Sequence, residues 1–349
     1  MRVVYARNVN DALLKGLDMF NSETNYLVQE SRNGTTYEII DPVTTVFIKP
    51  WERVCLIHQR DANPFFHFIE SLWMLAGRKD LETLTYFVKS MADFSDDGET
   101  LWGAYGWRWQ SYFNKDQVTI IIEMLKKNPE DRRCVLQMWD PILDLDKDGK
   151  DVPCNTNIYF KIREGKLNMT VCCRSNDMLW GAYGANVVHM SILQEYMATL
   201  IGVNIGTYRQ ISDSFHVYIE QPVWEKVKDL KIDPYNYRTF SNPYQNLNGY
   251  KYTPLLRKGD SSAFHWELNR FFDIHPNDFQ ATQDGWEIPV FKDIAVPMME
   301  VYALHKQKDS SVYQALNKIK PMDWKTACFD WIRRRDMSYN NTEKGETHE

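Results

Sequence analysis

The sequence predicts an α+β fold, because its strand-like segments are grouped and do not alternate regularly with helices. Apolar residues at helical spacing mark the helices, and short β-branched or aromatic runs mark the strands. The predicted helices cover 10–20, 64–77, 117–127, 186–201 and 295–335, and the predicted strands cover 133–139, 156–163, 167–174 and 206–218.

Local signals support the individual elements. The helix over 64–77 begins on Pro64 and ends at Gly77, the usual asymmetry of helix ends. The strands over 156–163 and 167–174 flank a Glu-Gly-Lys turn and therefore predict a hairpin. Residues 220–260 are rich in Tyr, Asn and Pro, which is typical of long ordered surface loops.

Composition limits the possible functions. The chain has 349 residues, 44% of them hydrophobic, and a formal charge of −6. This length allows a sizeable core, and no linker divides it, so we predict one domain over 1–335 and a flexible tail over 336–349. The acidic balance argues against binding to nucleic-acid polymers or anionic membranes, but it allows a small anionic ligand held by local arginines.

The cysteines and the amino terminus indicate the compartment. Six cysteines are too few for a disulfide scaffold in this length, and no CxxC or HExxH spacing predicts a metal site. The amino terminus has no apolar block typical of a signal peptide, and no apolar run approaches the length of a membrane helix. We therefore expect a cytoplasmic protein with free thiols.

Cys154 is the first candidate for chemistry. It follows Pro153 and opens a strand, where a side chain can face a cavity. A nucleophilic cysteine needs such access and nearby positive charge, and the hairpin returns Arg174 towards the same end of the sheet. The alternative interpretation is a buried structural cysteine.

A second cluster follows in CRSNDMLWGAYGAN. Arg174, Ser175, Asp177 and Asn186 surround two glycines at the start of a helix. Arginine and small hydroxyls bind phosphate oxygens well, so the cluster fits a phosphate attached to a polar ring. An ordinary helix cap and turn would use the same residue types.

These motifs resemble the thymidylate synthase and pyrimidine-nucleotide hydroxymethylase superfamily. The resemblance covers roughly residues 30–220, with an elaboration over 221–335. It follows the family's order in Ser31-Arg32-Asn33-Gly34, Phe68 to Trp73 with Glu70, Ala104-Tyr105-Gly106, Asp131-Arg132-Arg133, Pro153-Cys154-Asn155, Arg174-Ser175-Asn176-Asp177, Trp180-Gly181, Asn186 and His216-Val217-Tyr218.

The resemblance implies a three-layer fold whose mixed sheet forms a homodimer interface. It implies a pyrimidine nucleoside monophosphate as substrate and 5,10-methylenetetrahydrofolate as cofactor. The thiolate of Cys154 would add to carbon 6 of the pyrimidine, which makes carbon 5 nucleophilic. The implied catalytic residues are Cys154, Glu70, Tyr105 and Asp177, with Glu70 ordering water and moving protons.

The implied substrate-binding residues divide by the part of the nucleotide that they hold. Four arginines would bind the phosphate, with two of them lent by the neighbouring subunit. His216 and Tyr218 would hold the sugar hydroxyl, and Asn186 would read the edge of the ring. The phosphate set is Arg32, Arg174 with Ser175, and the lent pair Arg132 and Arg133.

Departures from the family pattern bear on the reaction. Asn155 stands where the family has His, and Cys173 stands where it has Gln. Met91 and Phe94 replace two tryptophans beside the folate, and the closing carboxy-terminal tail is not recognisable. A wetter folate pocket favours capture of the exocyclic methylene by water, so we predict a hydroxymethylase.

Alternatives remain open at this point. The chain could be a thymidylate synthase or an inactive nucleotide-binding regulator. One extra residue precedes Asn186, and His189 one turn further on could also reach the ring. We therefore rank dUMP only weakly over dCMP or CMP.

Overall fold

A computed structural model of the chain describes residues 1–231, 242–245, 250, 252–281 and 284–345. Eight strands form one sheet: β1 Arg2–Ala6, β2 Tyr26–Ser31, β3 Gly34–Ile39, β4 Val43–Phe47, β5 Val135–Gln137, β6 Asn155–Arg163, β7 Lys166–Asp177 and β8 Asn204–Tyr218. The helices are α1 Val9–Asp18, α2 Pro64–Leu75, α3 Glu82–Phe87, α4 Tyr105–Trp107, α5 Gln117–Lys127, α6 Asn186–Ile201, α7 Pro222–Val227, α8 Ser261–Asp273, α9 Val296–Gln307, α10 Val312–Ala315 and α11 Met322–Gly345.

The sheet is mixed and has β8 near its centre. Its order is β1-β4-β8-β7-β6-β5, and β3 also pairs with β8 while β2 pairs with β3. The pairs β1–β4 and β7–β8 are parallel, whereas the other pairs are antiparallel. The predicted α+β class is therefore confirmed.

Helices α2 and α6 pack together in the core. All twelve residues of α2 are buried, as are residues 186–198 of α6. Because both helices are buried all round, their polar side chains must find partners inside the protein. This packing places Glu70 and His189 in the interior.

The predicted helices over 64–77, 117–127 and 186–201 agree with α2, α5 and α6 within two residues. The predicted helix over 295–335 is instead divided into α9, α10 and α11, because Lys308 takes a left-handed conformation that ends α9. The backbone stays helical to Gly345, whereas the sequence predicts a tail from 336. Of the predicted loop region over 220–260, residues 232–241, 246–249 and 251 lie outside the described residues.

Buried polar contacts attach the carboxy-terminal part to the sheet domain. The Tyr244 hydroxyl accepts a hydrogen bond from the Val54 amide (3.1 Å) and donates to the Asp323 carboxylate at the start of α11 (2.9 Å). Glu195 of α6 pairs with Arg53 and accepts a hydrogen bond from the Leu255 amide at 2.7 Å. In the part of the chain that the structure describes, no helix is long and apolar enough to cross a membrane.

Candidate functional site

Cys154 lies directly before β6, and Arg174 of β7 contacts it. The Arg174 amide donates to the Cys154 carbonyl at 2.9 Å. The Arg174 guanidinium donates to the carbonyls of Pro153 (2.9 Å) and Val152 (3.0 Å), and its Nη2 lies 3.9 Å from the Cys154 Sγ. The predicted approach of this arginine to the thiol is therefore present.

The electrostatic environment of Cys154 contains opposing effects. Burial raises the pKa of its thiol, Arg174 and Arg32 lower that pKa, and Asp151 raises it further. Burial is the largest effect, so the pKa lies above the usual range and the thiol is mostly protonated at neutral pH. A thiolate therefore needs additional positive charge or a proton acceptor when the nucleophile is used.

Arg32 lies in the turn between β2 and β3. Its guanidinium donates to the carbonyls of Gly149 (2.7 Å) and Lys150 (2.6 Å) in the segment that leads to Cys154. The turn is thus attached to the nucleophile's loop. Arg32 and Arg174 are the two predicted phosphate ligands that the structure brings to Cys154.

Arg132 and Arg133 lie on a different surface of this chain. Arg133 is 83% exposed and pairs with Asp131 at 2.7 Å. Both arginines line an open cleft of about 880 Å³ together with Arg163 and Glu164. Among the described residues, they make no hydrogen bond or ion pair with the Cys154 segment.

Tyr105, at the start of α4, has its hydroxyl beside the nucleophile. The hydroxyl accepts a hydrogen bond from the Asn155 amide at 3.3 Å. Burial raises the pKa of Tyr105 well above its usual value, so the phenol keeps its proton. Gly106 allows the backbone of α4 to lie directly against α2, because a Cβ there would lie 1.9 Å from the Met74 carbonyl oxygen.

Glu70 of α2 meets His189 of α6. Nε2 of His189 lies 3.0 Å from Oε2 of Glu70, and both side chains are buried. His67 is also buried nearby, where burial, Arg60 and His189 hold its pKa well below the usual value. The two atoms lie within ion-pair distance, yet among the described residues neither makes a hydrogen bond, so both are left for a ligand or water.

Asp177 and His216 are neighbours on the parallel strands β7 and β8. Burial raises the pKa of Asp177, against the effects of the Trp180 amide, His216 and Arg60. One Asp177 oxygen accepts from the Trp180 amide, and the other has no hydrogen-bond partner among the described residues. The carboxyl is therefore buried with one oxygen available to a ligand.

The predicted sugar-binding pair lies at the end of β8. Burial lowers the pKa of His216, whereas Asp177 and Glu38 raise it. His216 Nδ1 lies 3.1 Å from the Ser214 hydroxyl, which donates to Glu38 at 2.8 Å. The rings of His216 and Tyr218 meet edge to face at 5.3 Å.

Asn186 begins α6 and is buried. Its amide accepts from Asn155 Nδ2 at 3.3 Å and donates to Asn176 Oδ1 at 3.1 Å. Through Asn155 it is connected to the nucleophile's strand. Ser175 lies half-buried on β7, next to Arg174.

Arg60 is a candidate site residue that the sequence analysis missed. It is 1% exposed, and its Nε donates to the Leu179 carbonyl at 2.7 Å. In the described structure neither Nη atom has a hydrogen-bond partner. The guanidinium lies over the half-exposed ring of Trp180 at 4.5 Å and interacts electrostatically with Asp177. No local pattern marks Arg60, because the side-chain hydrogen bond to Leu179 and the ring contact with Trp180 join it to residues more than a hundred positions away.

Sequence comparisons identify relatives of this chain. A sequence model of the thymidylate synthase family matches residues 24–255. The chain is 42% identical to the deoxyuridylate hydroxymethyltransferase of Pseudomonas phage M6 over 348 residues, which cover 97% of this chain and 96% of that protein. It is 41% identical to the deoxyuridylate hydroxymethyltransferase of Bacillus phage SP01 over 198 residues, 54% of this chain and 52% of that protein.

A solved structure, the thymidylate synthase from T4 phage, aligns with a TM-score of 0.49 and 20% identity over 62% of this chain and 78% of that one. The family assignment rests on the sequence matches alone. The family match covers more than half of the chain, and the alignment with a phage relative is nearly complete. This chain therefore belongs to the thymidylate synthase family.

Proposed function

We propose that this chain transfers a one-carbon unit from 5,10-methylenetetrahydrofolate to carbon 5 of a pyrimidine nucleoside 5′-monophosphate and releases the hydroxymethylated nucleotide. The observation that carries the proposal is the arrangement around Asn186. On one side Asn186 contacts the residue after Cys154, and on the other it lies one helical turn from His189, which contacts Glu70 of α2. A candidate nucleophile and a buried carboxylate–imidazole pair are therefore both connected to Asn186.

Cys154 would supply the covalent step. Its thiolate adds to carbon 6 of the pyrimidine, and the electron pair moves to carbon 5 and the carbonyl at carbon 4. The folate donor supplies a one-carbon unit at the oxidation level of formaldehyde. Arg174 and Arg32 would bind the phosphate beside the thiol.

Glu70 and His189 would handle the protons. They would accept the proton that leaves carbon 5, and the electron pair left there expels tetrahydrofolate, so the one-carbon unit becomes an exocyclic methylene while Cys154 is still bound to carbon 6. Water adds to this methylene, and the electron pair that returns to the ring expels the Cys154 thiolate from carbon 6. The proton that this water loses also needs an acceptor, and the pair supplies one. The nucleotide gains CH2O overall, without an oxidant or a reductant.

The residues around Arg60 fit a folate. Asp177 offers a carboxylate oxygen and Arg60 offers two Nη groups, all of which lack hydrogen-bond partners among the described residues. The exposed half of the Trp180 ring lies beside them. A planar heterocycle with several donors and acceptors matches this set, so we assign Asp177, Arg60 and Trp180 to the folate ring.

The relatives favour the hydroxymethyl product and uracil. Both phage proteins compared above are named deoxyuridylate hydroxymethyltransferases. We therefore propose dUMP as the preferred substrate, ahead of dCMP and CMP. Reductive methylation of dUMP would use the same nucleotide site but would yield dihydrofolate.

We also propose that two copies complete each other's sites. Alternate positions of the outer strands expose apolar side chains, including Val3 and Tyr5 on β1 and Tyr159 on β6. A second sheet packed there would bury this face. It would allow Arg132 and Arg133 to reach the partner's phosphate.

Subunit mixing tests the shared arginines. Neither Cys154→Ala nor Arg133→Ala should turn over alone, because one lacks the nucleophile and the other lacks a phosphate ligand. Mixed dimers contain one site with both groups intact, so activity should reappear after mixing and refolding. No recovery from mixtures whose mixed dimers are verified by mass spectrometry would contradict the sharing.

Product analysis tests the reaction. The protein is incubated with methylenetetrahydrofolate and, separately, dUMP, dCMP, UMP and CMP. We expect dUMP to gain CH2O, with no rise in dihydrofolate absorbance, and in isotope-labelled water the added oxygen should carry the label. A gain of CH2 together with dihydrofolate would identify a thymidylate synthase instead, and no product from any nucleotide would support the binding regulator.

A further inference from the structure

We infer that Cys173 and Asn155 fix the orientation of the Asn186 side-chain amide and thereby set the preference of the site for one pyrimidine base. The inference rests on the proposed function and deepens it. It concerns two residues at which the sequence departs from the family pattern.

The two departures contact each other. Asn155 of β6 lies opposite Cys173 of β7, and Cys173 lies opposite Ser212 of β8. The Cys173 thiol donates to Asn155 Oδ1 at 2.7 Å, and Asn155 Nδ2 donates to Asn186 Oδ1 at 3.3 Å. A change at one of the two positions therefore alters what the other can accept or donate.

The contacts continue as a chain of hydrogen bonds. Asn186 Nδ2 donates to Asn176 Oδ1 at 3.1 Å, and Asn176 Nδ2 donates to the Ser212 hydroxyl at 2.9 Å. All five side chains of this polar chain are buried: Asn155, Cys173, Asn176, Asn186 and Ser212. Every hydrogen bond in it points from Cys173 towards Ser212.

Burial makes this direction matter. Turning one amide over would place two donors or two acceptors face to face, and an unsatisfied buried polar group destabilises the folded protein. The amides must therefore turn together or not at all. Reversal of every hydrogen bond in the polar chain would direct Asn155 Nδ2 at the Cys173 sulfur, which is a weak acceptor. Cys173 thus favours the observed direction.

Gly181 packs closely against the polar chain. A Cβ at this position would lie 2.6 Å from Asn176 Oδ1 and 3.3 Å from Asn186 Nδ2. The backbone thus packs directly against two of the amides. This close packing restricts the movement that an amide rotation requires.

A fixed amide discriminates between the bases. Uracil presents an acceptor at carbon 4 and a donor at nitrogen 3, whereas cytosine presents the reverse pair. The Asn186 amide keeps one further N–H and one further lone pair beyond those used in the polar chain. If it is fixed, it matches one base and opposes the other with like groups; if it could turn, it would match both. Cys173 and Asn155 therefore act as positioning residues for base specificity.

Two variants test this role. Asn155→Asp replaces an amide by a group that, when ionised, only accepts, so Asn186 must turn its Nδ2 towards position 155. Cys173→Ala removes the donor at the start of the polar chain. Cys172→Ala is the matched control, because Cys172 is half-exposed on the other face of β7. Thermal unfolding of each variant shows whether it folds.

The measurement is the ratio of kcat/KM for dUMP to that for dCMP, together with equilibrium binding of both nucleotides without folate. We expect Asn155→Asp to lower the dUMP preference by about tenfold to a hundredfold, because a mismatched buried hydrogen bond opposes binding. Cys173→Ala should lower it less, and Cys172→Ala should leave it unchanged. A general structural defect would lower both values and leave their ratio intact.

The inference would be overturned if the ratio of kcat/KM for dUMP to that for dCMP were the same in the parent, Cys173→Ala and Asn155→Asp proteins. If Asn155→Asp does not fold, Cys173→Ala carries the same test, since it removes only a thiol. The binding arm separates this inference from the proposed function. If the parent protein binds dUMP selectively but turns over no nucleotide, and the variants lose this selective binding, the result would support the polar chain and refute the proposed enzyme.

Discussion

Arg108 and Arg60 are both almost completely buried, and their surroundings differ. Arg108 donates to both oxygens of Asp144 (2.7 and 2.9 Å) and to the Met138 carbonyl (2.6 Å), and it lies 4.4 Å from the ring of Tyr112. The Arg60 guanidinium makes one hydrogen bond among the described residues, to the Leu179 carbonyl. Within the described chain, its Nη atoms have no hydrogen-bond partner.

The difference separates a structural role from a binding role. A buried charge is tolerated when hydrogen bonds and an opposite charge replace its water. Arg108 has both, so it ties the segment after β5 to the segment around α4. In the part of the chain that the structure describes, Arg60 lacks hydrogen bonds to its Nη atoms and is not paired with a carboxylate by a hydrogen bond. Asp177 beside it also has one oxygen without a hydrogen-bond partner among the described residues. Such groups indicate where a ligand supplies the missing partners.

The largest expected effect is on the satisfied arginine. Asp144→Ala leaves Arg108 buried without its partner and should lower the free energy of unfolding by about 3–5 kcal/mol. Urea denaturation measures the change. Asp146→Ala, two residues further on and exposed, should change it little. Equal stability of the two variants would show that burial alone does not make Arg108 structural.

Arg60→Leu should behave in the opposite way. It removes a buried charge that is only partly paired, so the free energy of unfolding should stay the same or rise. Its affinity for tetrahydrofolate, measured by tryptophan fluorescence with dUMP present, should fall about tenfold to a hundredfold, because hydrogen bonds from a charged group are lost. Affinity for dUMP alone is the control. Lower stability with unchanged folate affinity would contradict the distinction.

A smaller effect is expected on the alkylation of the Cys154 thiol, which, like Arg60, belongs to the proposed binding site. Because burial raises the pKa of Cys154, its alkylation by iodoacetamide should be slow at neutral pH and should rise through a midpoint above that of a free cysteine. Arg174→Gln removes a charge that lowers this pKa. It should therefore move the midpoint up and slow alkylation at neutral pH by up to about tenfold.

Arg257→Gln is the matched control for the alkylation experiment, since this arginine is exposed and the proposed site does not use it. Its alkylation profile should follow that of the parent. The reading of the Cys154 environment fails if Arg174→Gln leaves the midpoint in place, or if the parent midpoint lies below that of free cysteine.

The sequence predicts the helices better than the strands. Helix α2 is bounded by Pro64 and closely followed by Gly77, and α6 carries its apolar residues at regular spacing, so local signals suffice. The amino-terminal strands β1 to β4 were not predicted. Two of them, β3 and β4, pair with β8, more than 160 residues later, and such pairing leaves little trace in a short segment.

Site residues divide along the same line. Cys154 and Arg174 were predicted to meet because one hairpin connects them. The Glu70–His189 contact and the partners of Arg60 depend on how α2, α6 and the end of β7 pack, which spacing along the chain does not encode. The departures Asn155 and Cys173 were visible in the sequence, whereas their mutual contact was not.

Covalent trapping tests the central claim most directly. The claim is that the nucleotide binds beside Arg174 and Arg32 and reacts with Cys154. A dUMP analogue with fluorine at carbon 5 cannot lose a proton there, so its adduct should accumulate when the folate donor is present. Peptide mass spectrometry should find the nucleotide on the Cys154 peptide, and Cys154→Ala should form no adduct. An adduct on another cysteine, or none from a protein that turns over dUMP, would contradict the account.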